Sequence, residues 1–382
     1  MTPVYVFDPT ASDLLSRVRG IGRYLQLLKE NFSNEFIFSD KLPSTHNSQP
    51  ITFINPFFDP LKTPLLMKRI AQKQIAVIHD LIPLKYPFHF PVGIRGKLNI
   101  FLNKLALKNY DLIITDSQTS KKDIVNILKV KSEKLKVIYP TLTGIFFDSR
   151  SSTIDLRTSN IENRKSKIKD LRSNYLIYVG DATWNKNLVN LTKAIKFANV
   201  TCIFVGKIFT NYLTGGANLG IPSARSFGRA LMGKNERQNL SNNQLDHPWQ
   251  KDLKEFLEIT QNDKHFIFPG FVKDEELISL YKNAVANILV SRDEGFGFSY
   301  FEAASQGTPS ILSDISIFHE TAADAALFAD PNNPQDIADK INELFTNKEF
   351  AQKLGNKAKH RTLSFSPKKF KEDLLKIIND NW

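Results

Sequence analysis

At 382 residues, 42% of them hydrophobic and 24% charged, the chain is long enough for two or three domains with real cores, which excludes a single small module, a disordered chain and a coiled coil. A single cysteine, Cys202, excludes a disulfide framework and a multi-cysteine zinc site. The net charge of +12 is polarised, with 30 basic against 16 acidic residues over 1–200 and 8 against 18 over 251–350; one basic and one acidic lobe are expected, the basic one either drawn to an anionic partner or simply kept soluble by its lysines.

Short apolar runs ended by turn residues alternate with amphipathic segments, the pattern of a parallel sheet covered by helices. Strands are predicted at Val4 to Phe7, Thr52 to Asn55, Ile75 to Ile78, Leu112 to Thr115 and Leu135 to Tyr139, with helices over Gly22 to Asn31, Val92 to Lys108 and Ser117 to Leu128. These make a first doubly wound domain, residues 1–145. Residues 146–172 are rich in Ser, Asn and basic side chains and poor in large apolar ones, and read as an interdomain linker.

The alternation restarts with strand Tyr175 to Val179, helix Val189 to Phe197 and strand Thr201 to Val205, and resumes with His265 to Phe268, helix Asp274 to Lys282, strand Ala286 to Val290, a helix from about Tyr300 to Gln306 and strand Ser310 to Ser313. Between the two stretches, residues 207–262 show little period and read as a loop-rich insertion in a second domain spanning 173–366, either a passive surface loop or a lid. Residues 367–382 form an amphipathic final helix expected to dock on a neighbouring lobe. The expected fold is therefore α/β, with two Rossmann-like doubly wound domains facing a central cleft. No apolar run reaches the roughly 18 residues of a membrane span, and the start MTPVYVFDPT lacks a basic stretch before an apolar one. A cytosolic protein is expected.

The densest chemical signal is SRDEGFGFSYFEAASQGTPSILSD, residues 291–314. A strand-to-helix turn with Gly295 and Gly297 leaves backbone N–H groups at a helix N-terminus, where the dipole favours anions, so it either holds a phosphate or merely packs closely. Glu294 and Glu302 flank the turn, and the helical rise places their carboxylates on the order of 10 Å apart. That exceeds the roughly 5 to 5.5 Å of a retaining glycoside hydrolase pair. It suits one carboxylate at a reacting sugar and the other at a ribose diol, with a pyrophosphate between.

Here the sequence resembles the retaining GT-B glycosyltransferases of family 4, whose signature is two glutamates separated by seven residues in an EGFG-type turn, followed by an EA-x-x-x-GTP-like run. The resemblance continues through HETAADAALFADP at residues 319–331, YVGDATWNKNL at 178–188, GIGRY at 20–24, HDLIP at 79–83 and DLIITDSQTSKKDI at 111–124. It covers nearly the whole chain except the linker and the insertion.

The resemblance implies that Glu302 meets the nucleotide ribose and Glu294 the donor sugar's hydroxyls. The backbone near Gly295, Phe296, Gly297, Phe298 and Ser299 would meet sugar and phosphates, with Gly180 at the donor side. Lys186 would neutralise the diphosphate, His79 would touch the donor sugar with Asp80 orienting its ring, and Gly22 and Arg23 would face the cleft from a glycine turn. Asp116 and Ser117 read as a turn and helix cap, Cys202 as core, and His319 as a loop residue.

Two departures stand out. Asn185 replaces an arginine common before the lysine, leaving phosphate neutralisation to Lys186 with Arg23, Arg225 or Arg229, and Ser299 replaces a common proline. No Asp-x-Asp pair suited to a metal is present, so metal-independent transfer without a cofactor is expected. The donor would be a nucleotide-diphospho-sugar, GDP-mannose favoured and a UDP-sugar the alternative. The acceptor would be a saccharide or a lipid-pyrophosphate-linked saccharide of surface polysaccharide. Residues 84–108 interleave aromatics and lysines; either they pack on the core or they lie on the anionic inner face of the plasma membrane. Rival readings are an inert GT-B scaffold, a glucosyltransferase or epimerase on the same fold, and a nucleic-acid binder, for which no recognition motif exists.

Overall fold

The computed structural model describes residues 3–11, 20–43, 51–148, 174–212 and 248–380. Among these residues the chain builds two parallel six-stranded sheets. The first contains β1 (Val4–Phe7), β2 (Phe36–Ser39), β3 (Thr52–Asn55), β4 (Lys73–Val77), β5 (Leu112–Thr115) and β6 (Leu135–Val137), in the order β2-β1-β3-β4-β5-β6. The second contains β7 (Tyr175–Val179), β8 (Thr201–Val205), β9 (Phe266–Gly270), β10 (Ala286–Leu289), β11 (Ser310–Ser313) and β12 (Leu327–Ala329), in the order β12-β11-β10-β7-β8-β9. The helices are α1 (Gly20–Phe32), α2 (Ile82–Lys85), α3 (Gly93–Ala106), α4 (Gln118–Leu128), α5 (Leu188–Ala198), α6 (Pro248–Thr260), α7 (Asp274–Asn283), α8 (Phe298–Ser305), α9 (Ser316–Ala322), α10 (Pro334–Thr346), α11 (Lys348–Thr362) and α12 (Pro367–Asn379).

This is the two-lobe α/β architecture that the alternation predicts. Strands such as LIIT of β5 and ANIL of β10 are buried at every position, because a parallel sheet is covered on both faces and needs apolar residues on both. In the second lobe the order reverses between β7 and β10, paired through Ala286↔Leu176 and Asn287↔Ile177. A crevice opens beyond the carboxyl ends of strands at such a switch point, where α/β sheets bind ligands. The loops after β7 and β10 carry Lys186 and Glu294.

The two missed strands, β2 and β12, are edge strands. An edge strand is covered less completely and need not be an apolar run, and Ile37 of β2 is 46% exposed. The supposed loop-rich insertion is also too long: α6 occupies Pro248–Thr260 and buries Leu253 and Phe256 against the second core, leading into β9. Residues 213–247, with Arg225 and Arg229, lie outside the described residues, as do 149–173 of the polar stretch. Phe146, at the start of that stretch, is buried in the second lobe's core cluster.

The chain's last helix returns to the first lobe. Ser366 caps α12 by accepting from Lys369 N, Pro367 sits at the first helical positions, and Pro there loses no hydrogen bond. Phe370, Leu374 and Ile378 then join Val4, Val6, Tyr24, Leu28 and Phe32 in one cluster, with Phe370 edge-on to both Tyr24 and Phe32. Phe370→Ala is expected to cost about 3 to 5 kcal/mol, the usual range for deleting a buried phenyl ring. Urea unfolding checks it, with Phe101→Ala on exposed α3 as a variant expected to unfold like wild type. An unchanged midpoint for Phe370→Ala would mean that α12 is not seated.

Candidate active site

The loop after β10 is drawn tight by hydrogen bonds within itself and to the loop after β7. Glu294 N donates to Asp293 Oδ1 at 2.9 Å, Ser291 Oγ to Glu294 Oε1 at 2.7 Å, and Arg292 N to Asn185 O at 2.7 Å. The loop after β7 meets it: Asn185 Nδ2 donates to Asp293 O at 3.1 Å, and Lys186 Nζ lies 2.6 Å from Glu294 Oε1. Asn187 adopts the left-handed conformation, φ 58°, and its side chain bonds the carbonyls of Val290 and Pro331. The two loops of the switch point are therefore one unit, with an ammonium and a carboxylate paired at its tip.

Glycine is required at two places in this unit. Gly297 has φ +90° and caps α8, a conformation side chains adopt only with strain. A Cβ on Gly295 would lie 3.0 Å from Asp80 Cβ and 3.3 Å from His79 O. The close approach brings the two lobes together here, and Ser117 Oγ of the first lobe donates to Gly295 O at 2.9 Å. Of the N–H groups opening α8, that of Tyr300 donates to Gly297 O at 3.0 Å, while those of the first helical positions have no acceptor a turn back and the helix dipole points at the same region.

Glu302, on α8, is 5% exposed. Tyr281 OH donates to its Oε2 at 3.1 Å and Arg23 Nη2 lies 3.3 Å from its Oε1. Burial holds its pKa above the ordinary carboxylate range against the opposing pull of Arg23. Arg23 itself forms a two-pronged pair with Asp274 at 2.6 and 2.9 Å. It stays cationic, because the carboxylates of Glu302 and Asp274 outweigh the opposing effect of burial. Arg23 and Gly22 belong to the first turns of α1 and not to a free glycine turn; Arg23 thus bridges lobes at Glu302, and the phosphate role suggested for it has no geometric support.

His79 follows β4. Its Nδ1 lies 2.7 Å from Asp116 Oδ2 and its Nε2 3.1 Å from Pro56 O. Both partners are acceptors, so the two contacts are satisfied together when both ring nitrogens carry a proton. Burial alone would lower its pKa, but the charge and hydrogen bond of Asp116, with Asp80 and Pro56 O, raise it. Asp116, read from sequence as a turn residue, is the orienting group; Asp80 instead accepts from Ile82 N at 3.1 Å. Gly180 N–H is bound to Val205 O, a Cβ on Gly180 would lie 2.7 Å from Tyr178 OH, and its carbonyl oxygen lies 2.1 Å from where a Cβ on Gly206 would stand. Phe296 is buried, its ring stacked on Phe301 at 4.6 Å, so only its backbone is available to a ligand, while the half-buried Phe298 ring packs edge-on against Phe296 and on both lobes' cores.

Sequence reasoning missed the clasp around the pair. Trp184 stacks on His89 at 3.7 Å between ring centroids, and the Arg292 guanidinium lies over the Trp184 ring, 4.9 Å from its centroid. Asp293 accepts from Tyr86 OH at 3.0 Å and pairs with Lys85 at 2.7 Å. YPFH and WNK carry no periodic signal, so only their apposition across the cleft reveals the contact. Among the described residues no cluster of three or more His, Cys, Asp or Glu is placed to hold a metal.

The sequence model of the family described as glycosyl transferases group 1 matches residues 159–361. The chain is 27% identical over 275 residues to the O-antigen chain mannosyltransferase RfbU of Salmonella typhimurium, covering 72% of this chain and 62% of that protein. It is 35% identical over 94 residues to O-antigen chain mannosyltransferase B of Escherichia coli, 24% of this chain and 25% of the other. The chain thus spans under two thirds of the length of these relatives. Its fold resembles the HepE protein of Anabaena crystallised with UDP and glucose, with a TM-score of 0.66 at 14% identity over 99% of both chains. It also resembles the sucrose-phosphate synthase of Thermosynechococcus elongatus, with a TM-score of 0.62 at 14% identity over 99% and 98%.

A histidine whose pKa is raised by folding stabilises the fold fully below its unfolded value of about 6.5, and that contribution is lost as pH rises through the folded value. The difference in melting temperature between wild type and His79→Gln is therefore expected to be largest in mildly acid buffer and to shrink as pH rises above neutrality. A difference independent of pH would show that His79 is not held protonated by Asp116.

Proposed function

The chain belongs to the glycosyl transferases group 1 family, and from that premise we propose that it is a retaining, metal-independent transferase moving mannose from GDP-mannose to a saccharide or lipid-pyrophosphate-linked saccharide. The observation that carries this reading is the Lys186–Glu294 pair at 2.6 Å in the switch-point crevice, opposite His79 and Asp80. The ammonium has three donors and spends one on Glu294. Its remaining N–H groups and the amides opening α8 receive the diphosphate, where charge grows as the glycosidic bond breaks. Glu294 accepts from the sugar's hydroxyls. Glu302 keeps lone pairs for a ribose diol beside Tyr281 and Arg23.

In the reaction, the acceptor oxygen bonds to the anomeric carbon on the face from which the diphosphate departs, the bond to the diphosphate oxygen breaks, and that oxygen takes the acceptor's proton. Retention follows from the shared face. His79, with both ring nitrogens engaged, contributes its carbonyl rather than a free N–H. Mannose and GDP are favoured because the O-antigen relatives are mannosyltransferases by name. The reaction would take place on the cytoplasmic side, where nucleotide sugars are made.

A thermal-shift panel of GDP, UDP, ADP and dTDP tests the donor. GDP is expected to stabilise the wild type, by about 2.7 kcal/mol at a hundredfold excess over Kd, and Glu302→Ala to lose most of that shift while Glu294→Ala keeps it. A shift for UDP alone would replace the donor with a UDP-sugar; equal losses in both variants would sink the division of labour. Proton NMR of the product gives an α-linked sugar from an α-linked donor if configuration is retained, and a β-linked one if it is not.

A further inference from the structure

Helix α3 is built inside out. Its buried residues are Asn99, Asn103 and Ala106. Asn99 Nδ2 donates to Leu61 O at 2.8 Å, and Asn103 Nδ2 to Pro60 O and Lys62 O at 3.1 and 2.7 Å. The large apolar residues face out: Ile94 is 89% exposed, Leu98 55%, Phe101 58% and Leu105 37%, and Phe88, just before the helix, is 89% exposed. At about 100° per residue these four helical side chains project within about 60° of one another. An amphipathic helix ordinarily turns such a stripe inward. A contiguous exposed one marks a surface with a partner.

Charge identifies the partner. Residues 81–110 contain Lys85, Arg95, Lys97, Lys104 and Lys108 and no aspartate or glutamate. Lys85 pairs with Asp123 and Asp293; Arg95, Lys97, Lys104 and Lys108 lie on or beside α3, with Lys104 Nζ also 3.3 Å from Ile127 O. By the same helical arithmetic, Lys97 and Lys104 border one side of the stripe and Arg95 the other. An apolar stripe rimmed with cations suits a surface that is anionic outside and hydrocarbon within. It does not suit a second copy of the same face, because the rims would repel.

We propose that α3 with Phe88 is a docking face for an anionic bilayer, the apolar stripe entering the boundary between headgroups and acyl chains while the basic rim meets lipid phosphates. The face adjoins the cleft: the preceding residues Tyr86, His89 and Phe90 pack on Trp184, beside the Lys186–Glu294 pair. A docked molecule would hold its cleft mouth next to the membrane surface. The proposal needs neither donor nor acceptor, so it stands or falls apart from the transfer reading.

The test is flotation of the full chain with phosphatidylcholine vesicles and with vesicles containing about 30% phosphatidylglycerol. Binding is expected to the anionic vesicles and to weaken with salt. Leu98→Glu/Phe101→Glu is expected to lose it at least about tenfold, and Lys97→Gln/Lys104→Gln to weaken it about fivefold per lysine. All four positions are exposed, so unchanged melting temperatures confirm that the variants fold. Absence of binding to anionic vesicles, or equal binding by the variants, overturns the proposal. Self-association of the wild type in sedimentation, abolished by Leu98→Glu/Phe101→Glu, would overturn it by giving the stripe to a second copy.

Discussion

Two carboxylates are removed from water at the centre of this molecule, and a buried carboxylate is tolerable only where a countercharge and hydrogen bonds reach it. Glu294 receives both from Lys186 and Ser291, within its own lobe. Glu302 receives them from Tyr281 of its own lobe and from Arg23 of the other. The second demand couples the lobes, since separating them would strip Glu302 of its cation and Asp274 of its two-pronged partner. The acidic lobe and the basic lobe seen in the charge distribution thus meet at specific pairs and not as diffuse fields.

Other contacts surround that centre. Glu320 accepts from Gln118 N at 2.6 Å, Thr119 N at 3.0 Å and Tyr139 OH at 2.9 Å, spending a carboxylate of the second lobe on the N-terminus of α4 in the first. At the opposite edge, Asp293 takes Lys85 and Tyr86, and Trp184 takes His89. Donor exchange through such a cleft requires these polar contacts to open together. Asp293 and Glu302 are buried, so opening leaves each needing water or a ligand in place of the partner it loses, and Phe298 of the second lobe, packed on the first lobe's core, must also part from it.

Much of the architecture was legible because parallel strands buried on both faces write continuous apolar runs, as in LIIT, TCIFV and ANIL. The edge strands FIFS and LFA are apolar but only three or four residues long, too short to stand out from the segments beside them, and α6 was hidden because its apolar residues sit at the end of a long stretch without period. The EGFGFSYFE run pointed to a site because glycines, glutamates and a helix start coincide within nine residues. Its partners were not legible. The distance between Asp116 and His79 in sequence is 37 residues, and between Lys186 and Glu294 it is 108; only folding chooses Asp116 over the adjacent Asp80 as the orienting carboxylate. The exposed stripe of α3 has the same periodicity as a buried one, so sequence alone left its direction open. The buried asparagines settle it.

The most direct measurement of the account is turnover of radiolabelled nucleotide sugars, read as sugar released or transferred, in wild type, Glu294→Gln and Lys186→Ala. Glu294→Gln keeps the size of the side chain and removes its charge. The account predicts that wild type consumes a nucleotide sugar and that both variants fall by at least about a hundredfold, the usual range for losing one preorganised electrostatic contact at the transition state. Turnover that survives in both variants at the wild-type rate would contradict it, placing the chemistry away from the paired lysine and glutamate.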